Sequence, residues 1–154
     1  MTAFESTLYE ISRLFLLPVL ALILAALAYA LVSLGMFLAE AAQRRRGHWQ
    51  PGLARGAASQ ASDDMELEIL RRTEWLRITS RAAPMLGLVA TMIPMGPALM
   101  ALGRGDSMGV ADNLVVAFSA VILALVAASI CFLVLTVRRR WLLAELRAVE
   151  RERA

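Results

Sequence analysis

The stretch "APMLGLVATMIPMGPALMALGRGD", residues 83–106, decides how this chain is built. From Ala83 to Gly103 it has no Asp, Glu, Lys, Arg or His, enough for the ~20 residues with which a helix crosses a bilayer. Yet it holds three prolines, Pro84, Pro94 and Pro97, among Gly, Ala, Thr and Met. A proline inside a helix cannot donate to the carbonyl four residues back. In hydrocarbon, a carbonyl freed in this way needs a neighbouring helix, a hydroxyl or water. Such a segment belongs against protein or a wet cavity and not against lipid. Placed on a helix, Gly87, Ala90, Thr91, Pro94, Ala98 and Ala101 recur at intervals of three and four, so a face of small side chains is predicted, onto which another backbone can close. The prolines are expected to bend this face around a cavity that the Thr91 hydroxyl enters.

Working outward, two more stretches lack charge and histidine, Leu14 to Ala39 and Asn113 to Val137. With 59% hydrophobic and 19% charged residues in 154, the composition is that of a membrane protein. The layout expected is an external segment (1–13), a first span (14–39), a cytoplasmic loop and helix (40–82), a second span (83–103), an external loop (104–112), a third span (113–137) and a cytoplasmic helical tail (138–154). The first span makes a poor signal peptide: it exceeds the ~7–15 residues of such a core, and Glu5 and Glu10 precede it where a basic stretch would be required. It is expected to stay in the mature chain.

Every one of the sixteen basic residues is Arg. Eight lie between the first two spans (Arg44, Arg45, Arg46, Arg55, Arg71, Arg72, Arg77 and Arg81), and six follow the third (Arg138, Arg139, Arg140, Arg147, Arg151 and Arg153). Only Arg13 and Arg104 fall on the other side. The positive-inside rule then predicts an outside amino terminus and a cytoplasmic carboxyl terminus. Basic clusters abutting spans answer to orientation and anionic headgroups better than to nucleic acid. Trp141 sits where an interfacial aromatic anchor is expected, and Trp49 and Trp75 are read in the same way.

"RRRGHWQPGLARGAASQAS" (44–62) is rich in Gly, Pro and Ser and reads as a loop. A helix is expected from about Asp63, with Glu66 completing a capping box and Met65, Ile69 and Leu76 on one stripe. After the third span, Leu142, Leu146 and Val149 share a side, so that span is expected to run on as one long helix. In the third span Ala117, Ala120, Ala124, Ala127 and Ala128 form a second small stripe, with Ser119 and Ser129 nearby. The first span, rich in Leu, reads as the lipid-facing one.

Chemistry is sparse. No nucleophile–base set, metal-ligand cluster or glycine-rich phosphate loop is legible, so neither an enzyme nor a cofactor is expected. His48 reads as solvated or facing headgroups, Cys131 has no partner in the chain, and the GRGD at 103–106 carries no recognisable function. A membrane Thr usually bonds a carbonyl one turn back, and Ala stripes usually serve packing. Those readings stand beside a role in an ion path.

The three-span layout, together with "APMLGLVATMIPMGPALMAL" and "NLVVAFSAVILALVAASICFLVLTVRRRW" (113–141), resembles the MotA/TolQ/ExbB proton-channel family, in its TolQ/ExbB-like branch. That family's second span commonly runs Pro, Gly-Leu, Gly-Thr; here Pro84, Gly87-Leu88 and Ala90-Thr91 stand in those places. The resemblance implies an all-α membrane protein of the inner (plasma) membrane and a homo-oligomeric, pentameric ring. It also implies a MotB/TolR/ExbD-like single-span partner whose Asp carries the ion, and a pore lined by spans two and three. On that alignment Thr91 and Val121 border the ion path, with Ser119 joining them in a shifted register, while Gly87, Ala90, Pro94, Pro97, Ala120 and Ala124 serve packing or kinking. The chain departs from the pattern in span three, where Ala120 and Val121 stand at the hydroxyl-bearing positions when Ala124-Leu125 is set on the family's Gly-Leu. None of the three spans has a carboxylate, Lys or His, so any ion-carrying group must come from elsewhere. The alternative from another class is a non-conducting scaffold or an accessory subunit of a transporter.

Overall fold

The computed structural model describes residues 3–46 and 62–153, and among them the chain is helical throughout, without strands. The helices are α1 (Ala3–Leu14), α2 (Leu16–Arg45), α3 (Ser62–Gly103) and α4 (Ser107–Arg153). Three segments are long and apolar enough to cross a membrane: Glu10–Arg45, Ile69–Gly103 and Ser107–Ala148. The second and third lie within the longer helices α3 and α4, whereas the first runs across the break between α1 and α2. His48, Trp49 and Arg55 lie outside the described residues, as do the side chains of Asp63, Met65, Glu66 and Val149.

Residues 3–14 form a helix where the sequence reading placed only an external segment. Phe4, Leu8 and Ile11 recur at helical spacing between polar residues, a stripe overshadowed by the hydrophobic run behind it. The break between α1 and α2 follows from Pro18, which cannot donate to the Leu14 carbonyl and crowds it. At the break the Phe15 N–H is shared between the Ser12 and Ile11 carbonyls, at 3.2 and 3.4 Å, and the regular pattern resumes with Val19 N–H to the Phe15 carbonyl at 3.1 Å.

GRGD turns out to be a helix stop followed by a helix start. Gly105 has φ +73°, a left-handed conformation that glycine adopts without strain. Its N–H meets the Leu102 carbonyl at 3.0 Å, and the Asp106 N–H meets the Ala101 carbonyl at 3.0 Å, the pair of bonds that closes a Schellman motif. Asp106 then caps α4, its Oδ1 accepting from the Gly109 N–H at 3.0 Å. The turn is accordingly shorter than the 104–112 loop expected, with Ser107 to Asp112 already helical.

The chain divides into two compact units, Met1–Tyr29 with Arg81–Ala128, and Ala30–Ser80 with Ser129–Ala154. In the first, Val19 and Ile23 of α2 pack with Ala90 of α3 and Ala120 and Ala124 of α4, bordered by Leu20, Leu86 and Leu123. The first span is thus not simply lipid-facing. One stripe of it is core, while Leu17, Leu22 and Leu24 remain exposed.

In the second unit Ile69 and Leu76 are buried on the expected stripe, with Thr73 between them donating to the Ile69 carbonyl at 2.8 Å. Leu142 and Leu146 are buried on α4. The end of α2 is tied to α4 by charge. An Arg44 Nη donates to Glu145 Oε1 at 2.6 Å and to Glu40 Oε1 at 3.2 Å, and Arg138 approaches Glu40 Oε2 at 3.6 Å. Trp141 stacks on Phe37 at 5.2 Å between ring centroids, and the Arg44 guanidinium lies 4.3 Å from its ring. Trp141 is thus engaged by α2. Trp75 is 68% exposed.

Candidate functional site

The small-residue face of α3 is where the sequence placed the chemistry, and the structure covers it. Ala83, Gly87, Ala90, Pro94 and Ala98 are buried, as are Ala117, Ala120, Ala124, Ala127 and Ala128 of α4. The two faces meet each other: a Cβ built on Gly87 would lie 3.0 Å from Ala124 Cβ and 3.3 Å from Val121 Cγ2. Without side chains to hold them apart, the helices close to a distance at which dispersion contacts replace the missing hydrophobic drive. Within one chain, this part of the face is taken up by packing against α4. A periodic small stripe identifies a packing face without saying which helix fills it, and here it is filled from within the chain.

Thr91 is partly buried, and its hydroxyl donates to the Leu88 carbonyl at 2.7 Å. Its single proton is thus committed within its own helix, while the oxygen lone pairs still accept. The carbonyls that Pro94 and Pro97 deprive of a donor belong to Ala90 and Ile93, so the Thr91 proton does not serve them. Ala90 is fully buried, whereas Ile93 borders an open groove.

The three residues expected along an ion path have three different settings. Thr91 is partly buried, Ser119 is exposed, and Val121 is partly buried in the α3–α4 contact beside Gly87. Val121 is thus engaged in packing. Another hydroxyl of the third span, Thr136, is exposed and donates to the Phe132 carbonyl at 2.8 Å. Ser33, in the first span, is buried. Neither carried a spacing signal in the sequence.

On the opposite side α3 presents large side chains. Met85, Leu88, Met92, Met95, Leu99 and Leu102 are all exposed, spaced alternately by three and four residues. That is the repeat with which one helix offers a seam to another.

Pro94 and Pro97 also wall a groove of about 320 Å³ with Arg13, Leu16, Ile93, Asn113 and Val116. The sequence reading used Arg13 only for orientation. Its other signal was its isolation, since one further Arg alone shares that side. Among the described residues, no group of three or more His, Cys, Asp and Glu is arranged to hold a metal ion.

With this geometry in view, comparison with known families matches the chain to the MotA/TolQ/ExbB proton channel family over residues 32–150. No individual curated protein and no solved structure matches the chain.

Proposed function

This chain belongs to the MotA/TolQ/ExbB proton channel family, and on that premise we propose that it is the ring-forming subunit of an ion-driven, energy-transducing complex in the inner membrane. The ring is homo-oligomeric, pentameric as the family pattern implies, and surrounds a MotB/TolR/ExbD-like single-span partner. The chain lies amino terminus outside and carboxyl terminus in the cytoplasm, and it catalyses no covalent step.

One observation carries the reading: the stretches Leu14 to Ala39, Ala82 to Gly103 and Asn113 to Val137 contain no carboxylate, Lys or His to carry the ion. Ionisable side chains at membrane depth are costly and are kept where function requires them. A channel subunit without one takes its carrier from a neighbour, and the partner's Asp fills that role. The exposed Met/Leu seam of α3 supports assembly, since it offers a repeat onto which a neighbouring helix can close. In this reading the ion passes Thr91, with Ser119 and Val121 on the facing span.

The test is proton flux in liposomes holding the complex purified with its native partner. Thr91→Val keeps the oligomer and abolishes flux, Thr91→Ser retains much of it, and the partner's Asp→Asn variant is the dead control. Equal flux in wild type, Thr91→Val and the control overturns the channel reading.

A second reading, the non-conducting scaffold, is favoured by the 2.7 Å bond from Thr91 to the Leu88 carbonyl. There the hydroxyl only secures its own helix, and Thr91→Val costs about the 0.6 kcal/mol typical of a membrane hydrogen bond.

A further inference from the structure

We propose that the groove between Arg13, Pro97 and Asn113 holds one anionic phospholipid from the leaflet on the amino-terminal side of the membrane. The groove measures about 320 Å³ and is lined by Arg13, Leu16, Ile93, Pro94, Pro97, Asn113 and Val116. Its polarity is graded along the helices. Arg13 closes α1 before the chain turns into α2, and Asn113 begins the uncharged run of α4, so the two polar groups mark the end nearer water. Leu16, Ile93 and Val116 lie deeper along their own helices, roughly a turn or less further in. A polar mouth above apolar walls matches an amphiphile with its headgroup outward and its chain inward.

Charge decides which amphiphile. The lining contains one cation and no acid, and Arg13 makes no ion pair with a described residue. A guanidinium offers a planar fork of donors that matches a phosphate bidentately. Asn113 gives one amide proton to the Gly109 carbonyl at 2.7 Å, which holds the side chain in place and leaves its second N–H to donate. A zwitterionic headgroup brings its own cation beside Arg13 and gains less, so phosphatidylglycerol is preferred to phosphatidylcholine. This site requires only that the chain sit in a membrane. Loss of ion flux leaves it standing, and loss of the lipid leaves the channel reading standing.

The test uses the full chain in nanodiscs of equal parts phosphatidylglycerol and phosphatidylcholine, followed by release into detergent and native mass spectrometry of the retained lipid. Wild type is expected to keep about one phosphatidylglycerol per chain. Arg13→Gln lowers that retention about tenfold, the loss of one charge-assisted contact. Arg104→Gln, which removes an exposed Arg from the α3–α4 turn on the same side, leaves it unchanged. Val116→Trp fills the groove and expels the lipid with Arg13 intact, which keeps the test decisive if Arg13→Gln fails to fold. Equal retention of the two lipids by wild type overturns the proposal, as does undiminished phosphatidylglycerol in Arg13→Gln or Val116→Trp. Displacement of the lipid by millimolar inorganic phosphate also overturns it, by reducing the site to one for a free anion.

Discussion

Ala124 Cβ lies 3.0 Å from the point a Cβ on Gly87 would occupy, and Ala124 itself is fully buried among Val19, Ile23, Ala90 and Ala120. With core on its other sides, Ala124 cannot recede unless α4 moves. Gly87→Val is therefore expected to destabilise the chain by about 1–3 kcal/mol, the usual range for overpacking a close contact. Gly35→Ala is the control. Nothing lies within 4 Å of its Cβ position, and helix propensity favours the change by roughly 0.5–1 kcal/mol. Thermal denaturation in one detergent compares the two. A Gly87→Val chain as stable as Gly35→Ala would mean that the small faces do not close as described.

The Arg44–Glu145 pair, at 2.6 Å with side chains 20% and 10% exposed, is shielded enough to matter. Removing one partner deprives the other, a charge largely shielded from water, of its shortest charged contact, so Glu145→Gln and Arg44→Met should each destabilise by about 1–3 kcal/mol. The double variant should cost clearly less than the sum, because the surviving charge is gone as well. Purely additive losses would show the pair to be an incidental surface contact.

How much of this was legible in the sequence varies by element. The three spans were, because an uncharged run of that length has few soluble explanations. The helix at residues 3–14 was not read, because its short stripe of Phe4, Leu8 and Ile11 stands against a far stronger hydrophobic run. GRGD was passed over because a Schellman stop at Gly105 and a cap at Asp106 are backbone events, visible only once both helices are placed. Most instructive is the small face of α3: Gly87, Ala90, Pro94 and Ala98 were found by periodicity, but periodicity does not say what covers a face. The partner proved to be the alanine stripe of α4, equally visible in the sequence, and matching two complementary faces in one chain would have paired them. The Arg44–Glu145 contact was out of reach because it joins residues about a hundred positions apart.

Orientation rests on fourteen of the sixteen Arg residues flanking the spans on one side. With Cys131 replaced by Ala, a cysteine at Ser107 should react with an impermeant thiol reagent in intact cells, and one at Ala148 only after the cells are opened. Both positions are exposed on α4, so accessibility of the side chain does not confuse the outcome. Labelling at Ala148 from outside would reverse the orientation and remove the basis for a cytoplasmic carboxyl terminus.

The central claim is that this chain works as a ring around a partner that supplies the carboxylate. Since the small faces of α3 and α4 are satisfied within one chain, a surface this account assigns to assembly is the exposed seam of Met85, Leu88, Met92, Met95, Leu99 and Leu102. Native mass spectrometry of the chain extracted in mild detergent from its own membrane tests this most directly. The account predicts a homo-oligomer, pentameric, carrying a single-span protein with an intramembrane Asp, and its loss when Met92 and Met95 are both replaced by Trp. Monomer alone, across several detergents and lipids, would contradict it.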